Sequence, residues 1–133
     1  NYIIPNGTLY EFGILASLLH NDWMRLVAGR LKSDYRYSAS VVYNTFPWPI
    51  ITKEQRQHIT MLAEEVLLAR EDYPGKTLAE LYDPDKMPAG LLEAHQALDS
   101  AVDKLYRDRP FKDSAERVSH LLGLYEKLTA ATL

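Results

Sequence analysis

Three capping signals divide the chain into helices and constrain its fold more than any other feature. At Thr8, Thr52 and Asp113, a short polar side chain stands three residues before Glu or Gln, and apolar residues at helical spacing follow. Such a side chain bonds the free N–H groups at a helix start, and the Glu or Gln can return the bond. A further helix is expected near Pro88, because proline suits a first helical turn. The sequence therefore predicts a mainly α-helical fold.

The apolar stripes set the extent of the predicted helices. The first runs from about Leu9 to Ala28, with Gly29 as its C-cap. The other predictions are helix over residues 53–71, a short helical turn over 77–82, and helices starting near Pro88 and after Asp113. The expected order is a long N-terminal helix, an irregular or short-strand basic segment, and a three-helix, bundle-like region. The chain is predicted to divide into residues 1–50 and 51–133.

Helical periodicity disappears in the segment between the first two helices. Residues 35–43 are rich in aromatic and β-branched side chains, which favour extended structure. Pro47 and Pro49 disfavour helix at the residues that precede them. The sequence predicts a loop or short strand here, with Phe46 and Trp48 holding it against the first helix.

Charge is distributed unevenly along the chain. Residues 1–49 carry four basic and three acidic side chains, whereas residues 50–133 carry 11 and 15. A contact with a polyanion is therefore expected in the first third. The net charge of −3 argues against a stand-alone nucleic-acid-binding protein.

The sequence contains no recognisable catalytic or metal-binding constellation. Without cysteine there is no disulfide, thiolate ligand or cysteine nucleophile, and this composition fits a reducing cytoplasm. The scattered histidines predict no metal site, and no signal peptide or membrane span is predicted. His95 lies on an apolar stripe and is expected to be a core histidine with its polar atoms satisfied. Glu64 and Glu65 are neighbours that do not face each other on a helix, so they predict a solvated face.

The chain is expected to be a segment of a longer protein. Its first residue is Asn1 rather than Met, and the opening five residues resemble a strand entered midway. A segment without an active site of its own is the simplest interpretation.

The basic, tyrosine-rich run over residues 30–38 carries the clearest chemistry. Lys32 can donate to guanine O6 or N7, and Asp34 can accept from cytosine N4. In extended backbone these two side chains point to the same side, so they can address both halves of one G·C pair. The alternative is a surface turn in which the same two residues form a weak salt bridge. Residues suited to bonding the DNA backbone surround the pair, namely Arg30, Tyr35, Arg36, Tyr37 and Ser38.

A resemblance to a known family rests on these residues and on several downstream runs. The runs are GRLKSDYRYS at residues 29–38, VYNTFPWP at 42–49, LAELYDP at 78–84, and segments of residues 87–103 and 116–128. Together they resemble the C-terminal part of large bacterial DNA methyltransferases, and most specifically the MmeI-like enzymes that combine restriction and modification. The chain would then be the end of a target-recognition domain followed by a helical C-terminal region.

The resemblance implies functions that reside mostly outside this chain. The full enzymes methylate adenine N6 with S-adenosylmethionine, and many carry a magnesium-dependent nuclease, so no cofactor is expected to bind this segment itself. Implied partners are double-stranded DNA and the methyltransferase domain upstream in the same polypeptide. In the family, the pair matching Lys32 and Asp34 varies with the recognised base, and Lys with Asp favours G on the contacted strand.

An alternative function is protein binding rather than DNA recognition. The helical half can be a protein-interaction domain that docks on the methyltransferase core or on another subunit without touching DNA. The acidic balance of residues 50–133 favours this reading for that half.

Overall fold

The computed structural model describes residues 8–31 and 46–131, and within these ranges it contains six helices and no strand. The mainly helical fold predicted from the sequence is confirmed. In chain order the helices are α1 (Leu9–Leu15), α2 (Leu18–Leu31), α3 (Lys53–Glu71), α4 (Leu78–Leu81), α5 (Ala89–Tyr106) and α6 (Ser114–Ala131).

The predicted single helix from Leu9 to Ala28 was wrong, because the chain breaks at Ala16 and Ser17 into α1 and α2. The hydroxyl of Ser17 donates to the carbonyl of Ile14 at 2.6 Å and accepts from the N–H of His20 at 3.3 Å. Across the core, a carboxylate oxygen of Asp99 accepts from the N–H of Leu18 at 2.9 Å. Ser17 therefore caps α2, and Asp99 satisfies a second free donor of its first turn.

The predicted C-cap at Gly29 was also wrong. Helix α2 continues through Gly29 and Arg30 to Leu31. A single glycine lowers helix stability by about 1 kcal/mol, which does not by itself end a helix. Arg30 therefore belongs to the last turn of α2 rather than to the loop.

The capping signals define helix starts as the sequence predicts. Thr8 and Thr52 form capping boxes with Glu11 and Gln55. Asp113 accepts from the N–H of Glu116 at 2.9 Å at the start of α6. The short helix α4 has a capping box of its own. Pro88 stands at the N-cap of α5 rather than inside its first turn.

The helices pack across residue 50 instead of forming two separate groups. Helix α3 packs against both α5 and α1, whereas α6 packs mainly on α2. The three later long helices therefore do not form a bundle by themselves within the described part of the chain. Gly13 permits the close approach of α1 and α3, since a Cβ there would lie 2.8 Å from Cγ2 of Ile59. The core between these helices includes Ile14, Leu19, Ile59, Val66, Leu91, Leu98, Val102 and Leu121.

The aromatic residues after the basic segment fasten the chain to α1 and α2, as predicted. Phe46 is buried, with its ring centroid 6.2 Å from that of Trp23 and 4.8 Å from that of His20. Trp48 packs edge-on against Phe46 and lies 6.5 Å from the ring of Tyr10.

Candidate nucleic-acid interface

The proposed DNA-facing residues follow directly from the end of α2. Arg30 lies in the last turn of that helix, where the structure describes the backbone. The remaining predicted contacts lie outside the described residues, and their placement stays a prediction. They are Lys32, Asp34, Tyr35, Arg36, Tyr37 and Ser38.

Both ends of this segment are fixed to the same helix. The chain leaves the last turn of α2 at Leu31 and is described again at Phe46, which packs against Trp23 in the middle of α2. The next residue is held from the other half of the chain, because the hydroxyl of Tyr106 on α5 donates to the carbonyl of Pro47 at 2.8 Å. The position of α2 therefore sets where the segment starts and where it ends.

An exposed arginine lies on α2 ahead of the basic segment. Arg25 is 76% exposed and pairs at 3.8 Å with Asp22, which is only 1% exposed. Asp22 is also bonded by Ser114 and Arg117. Helix α2 thus presents a basic side chain to solvent on the approach to the basic segment.

An ionic cluster around the buried Asp22, not predicted from the sequence, joins α2 to α5 and α6. We call Asp22, Asp103, Ser114 and Arg117 the α2 clamp. The two carboxylate oxygens of Asp22 accept from the hydroxyl of Ser114 at 2.9 Å and from Arg117 at 3.4 Å. Arg117 also donates to both carboxylate oxygens of Asp103, at 3.0 to 3.2 Å. One sequence signal could have revealed the clamp, since Asp22 interrupts the apolar stripe of the first helix beside Trp23.

Burial and charge act in opposite directions on the groups near the clamp. Burial lowers the pKa of Arg117, but hydrogen bonds and charge from Asp103 and Asp22 outweigh burial and raise it. Burial raises the pKa of Asp99, while the bond from the N–H of Leu18 lowers it. Arg117 therefore stays charged and holds two carboxylates, as buried ion pairs require.

His95 has a hydrogen-bond partner, as predicted, although it is half-buried rather than fully enclosed. Its Nε2 lies 2.6 Å from the hydroxyl of Tyr82, which accepts from Nε of Arg70 at 2.8 Å. Burial, followed by the charge of Arg70, lowers the pKa of His95. These contacts connect α3, α4 and α5.

Glu64 and Glu65 are exposed, as predicted for a solvated face. A cavity of about 380 Å³ on the α1–α2 surface is bordered mainly by apolar side chains, with His20 and Asn21 beside them. In the parts of the chain that the structure describes, no group of three or more His, Cys, Asp or Glu is arranged to hold a metal ion. No helix within residues 8–31 and 46–131 is long and apolar enough to cross a membrane.

Comparison with known proteins assigns both halves of the chain. Residues 1–50 match the family model of the MmeI target recognition domain, and residues 51–133 match that of the MmeI C-terminal domain. The chain belongs to the MmeI family. The resemblance seen in the sequence is thereby confirmed.

Two relatives support this assignment of the MmeI-family chain. It is 45% identical over 128 residues to DNA methyltransferase A of Bacillus subtilis (strain 168), covering 96% of this chain and 14% of that protein. It also superposes on the Type IIL restriction-modification enzyme MmeI, solved in complex with DNA, with a TM-score of 0.85 and 48% identity. That match covers 96% of this chain and 17% of the MmeI chain. The chain thus spans about one-sixth or less of either relative.

The α2 clamp joins the two regions that the family models match. Helix α2 and Asp22 lie in the region that matches the target recognition domain, whereas Asp103, Ser114 and Arg117 lie in the region that matches the C-terminal domain. The clamp is therefore an ionic contact between the two regions of this MmeI-family chain.

Proposed function

We propose that this chain is the non-catalytic DNA-recognition and scaffold part of a site-specific DNA methyltransferase that acts on adenine N6. The observation that carries the proposal is the pair of adjacent family matches, a target recognition domain followed by a C-terminal domain. The likeness to MmeI, solved in complex with DNA, supports double-stranded DNA as the partner. Restriction by the same polypeptide belongs to the proposal because MmeI is a restriction-modification enzyme.

The rest of the polypeptide supplies the chemistry in this proposal. S-adenosylmethionine binds the methyltransferase domain upstream in the same chain, and Mg²⁺ serves any nuclease. The present chain contributes recognition and a helical frame and docks against that methyltransferase domain. A cytoplasmic location is part of the same proposal.

The base-reading role falls to Lys32 and Asp34. Arg30, Arg36, Tyr35, Tyr37 and Ser38 contact the DNA backbone around them. The residue types support this assignment, because Lys and Asp can address guanine and cytosine edges and the surrounding side chains can bond phosphates.

Exchanging the polarity of the base-reading pair should change the recognised sequence. In the intact enzyme, Lys32→Glu with Asp34→Arg replaces a donor by an acceptor and an acceptor by a donor. The preferred base at one position should change, and the original site should lose about 1–3 kcal/mol of discrimination. Sequencing of methylated sites in genomic DNA measures this change.

Arg36→Ala is the matched control for that experiment. Because Arg36 is a proposed phosphate contact, its replacement should weaken binding evenly across sequences. It should also lower the slope of log affinity against log salt by about 1. An unchanged methylation site in the double variant would refute base readout by Lys32 and Asp34.

A second function is favoured by the surface of α3. Met61 and Leu68 are exposed and lie two turns apart, with the exposed carboxylates of Glu64 and Glu65 between them. Acidic and apolar side chains suit a protein partner rather than DNA. Under this alternative the helical half docks on a protein, and variants of α3 would leave DNA affinity and its salt dependence unchanged.

A further inference from the structure

Helix α2 is held by the C-terminal region at two separate places. At its start, Asp99 of α5 accepts from the N–H of Leu18 at 2.9 Å. One turn later, Ser114 and Arg117 of α6 bond the carboxylate of Asp22. These contacts restrain both the position of the helix start and the rotation of the helix about its axis.

The same region also holds the chain beyond the proposed DNA-facing segment. Tyr106 of α5 bonds the carbonyl of Pro47, immediately after Phe46, which packs on α2. The C-terminal helices therefore fix the entry to the segment through α2 and its exit through Pro47.

The α2 clamp is sensitive to the loss of any one member. Asp22 is 1% exposed and Arg117 is 12% exposed, and Arg117 pairs with both Asp22 and Asp103. Removing Arg117 would break the ion pair of Asp103 and leave Asp22 with the Ser114 hydroxyl and the exposed Arg25, which is 3.8 Å away. A buried carboxylate that loses its main charged partner is costly, and a movement of α2 that lets water reach Asp22 lowers that cost.

A small movement at Asp22 is enlarged at the end of the helix. From Asp22 to Leu31 the helix rises about 14 Å, so a tilt of about 5° moves Leu31 by about 1 Å. Bidentate hydrogen bonds to base edges do not tolerate such a shift, because donor and acceptor must stay about 2.7–3.2 Å apart. Long Arg and Lys side chains that contact phosphates can follow the backbone more easily.

We infer that Arg117 is a positioning residue for target recognition, acting through Asp22 and α2 without touching DNA. The inference rests on the proposed function, since it concerns how the same recognition segment is held. It assigns to the C-terminal helical region a share in sequence discrimination as well as in stability.

The test compares two arginines of the C-terminal region in the intact enzyme. Arg117→Met removes the clamp. Arg107→Met removes a comparable ion pair, because Arg107 is 20% exposed and pairs with Glu116 of α6 but has no contact with α2 among the described residues. For each variant, the methylation rate is measured on the cognate duplex and on duplexes with one altered base pair, below the midpoint of thermal unfolding.

Arg117→Met should lower the ratio of cognate to altered-site methylation about tenfold, the loss expected for one base contact. Arg107→Met should leave that ratio unchanged even if it lowers the unfolding temperature equally. Arg117→Lys, which keeps the charge, should restore part of the ratio. Ser114→Ala, which removes one neutral bond to Asp22, is the milder variant should Arg117→Met fail to fold, and it should lower the ratio by a smaller factor.

Two results would overturn the inference. One is an unchanged ratio in Arg117→Met, or in Ser114→Ala where the former does not fold. The other is an equal fall in Arg107→Met. A wild-type enzyme that shows no sequence-dependent methylation would instead refute the proposed function, so the two failures are distinguishable.

Discussion

His20 is buried in the first turn of α2, where 7% of its surface is exposed. Burial lowers the pKa of His20 to about 4, although a hydrogen bond with the backbone of Leu15 acts in the opposite direction. Its Nδ1 has no hydrogen-bond partner among the described residues. The ring packs edge-on against Phe46, so a charge on His20 would lie inside an aromatic cluster.

Acidification should destabilise the fold through His20. In the unfolded chain its pKa is about 6.5, so between about pH 6.5 and 4 the unfolded state binds more protons than the folded state. The contribution of neutral His20 is complete above pH 6.5 and is lost as the pH falls towards 4, by about 3 kcal/mol in total. Urea unfolding at pH 7, 5 and 4 measures this loss.

The variant His20→Phe should show a smaller fall in unfolding free energy over the same range, because it keeps an aromatic ring that cannot be protonated. The comparison separates His20 from two other groups whose pKa values shift on folding. The lowered pKa of His95 also makes the fold less stable in acid, whereas the raised pKa of Asp99 makes it more stable there. His58→Gln, at an exposed position, is the control. Equal pH dependence in His20→Phe and wild type would contradict the assignment.

At the scale of elements, close approach explains the arrangement of α1 and α3. Gly13 of α1 faces Ile59 and Ala63 of α3 so closely that a Cβ would lie 2.8 Å and 3.3 Å from their side chains. Gly123 of α6 is also helical, but a Cβ there would meet nothing within 4 Å. The two glycines have the same local propensity and different surroundings.

Substitution by alanine should therefore have opposite effects at these positions. Gly123→Ala should stabilise the fold by about 0.5–1 kcal/mol, because alanine favours the helix. Gly13→Ala should destabilise it by about 1–3 kcal/mol, because overpacking separates α1 from α3. Chemical denaturation at pH 7 tests both variants, and a stabilised Gly13→Ala would show that this interface is looser than described.

At the scale of the whole molecule, the two family-matched regions share one core. Helix α1 covers α3, and α2 covers α6, so each region buries apolar side chains of the other. Ile59, Ala63 and Leu121 are fully buried in this arrangement. A fragment of residues 51–133 would expose them.

The chain should consequently unfold in one transition, and the isolated 51–133 fragment should lose cooperativity. The fragment would lose apolar burial, at a cost of about 25 cal/mol per Å². Arg117 would also lose Asp22 and keep only Asp103 as its charged partner. Near-ultraviolet circular dichroism of both chains during urea unfolding measures the effect. A fragment that unfolds cooperatively at the midpoint of the full chain would show that the two regions are independent.

Local signals explain which parts of the fold the sequence predicts well. The capping boxes at Thr8 and Thr52 need only residues three positions apart, so the starts of α1 and α3 follow from sequence. The end of α2 does not follow from sequence, because a glycine can end a helix or stand inside one, and nothing local at Gly29 distinguishes the two. For the proposed DNA-contacting residues 30–38, the side-chain chemistry and the family resemblance indicate which residues take part. How residues 32–38 are arranged in space stays a prediction.

The sequence by itself determined the helical class, the helix starts that carry a capping signal and the family, because periodicity, caps and residue runs are local and need no partner. Only the tertiary structure decided that the first helix breaks at Ser17 and that Asp22 is bonded by Ser114 and Arg117. The contacts of Leu18 with Asp99 and of Asp22 with Ser114 and Arg117 join residues 81 to 95 positions apart, and they offset the cost of removing the carboxylates from water. No local pattern encodes which distant side chains meet, so the coupling between the recognition region and its helical tail appears only in the folded chain.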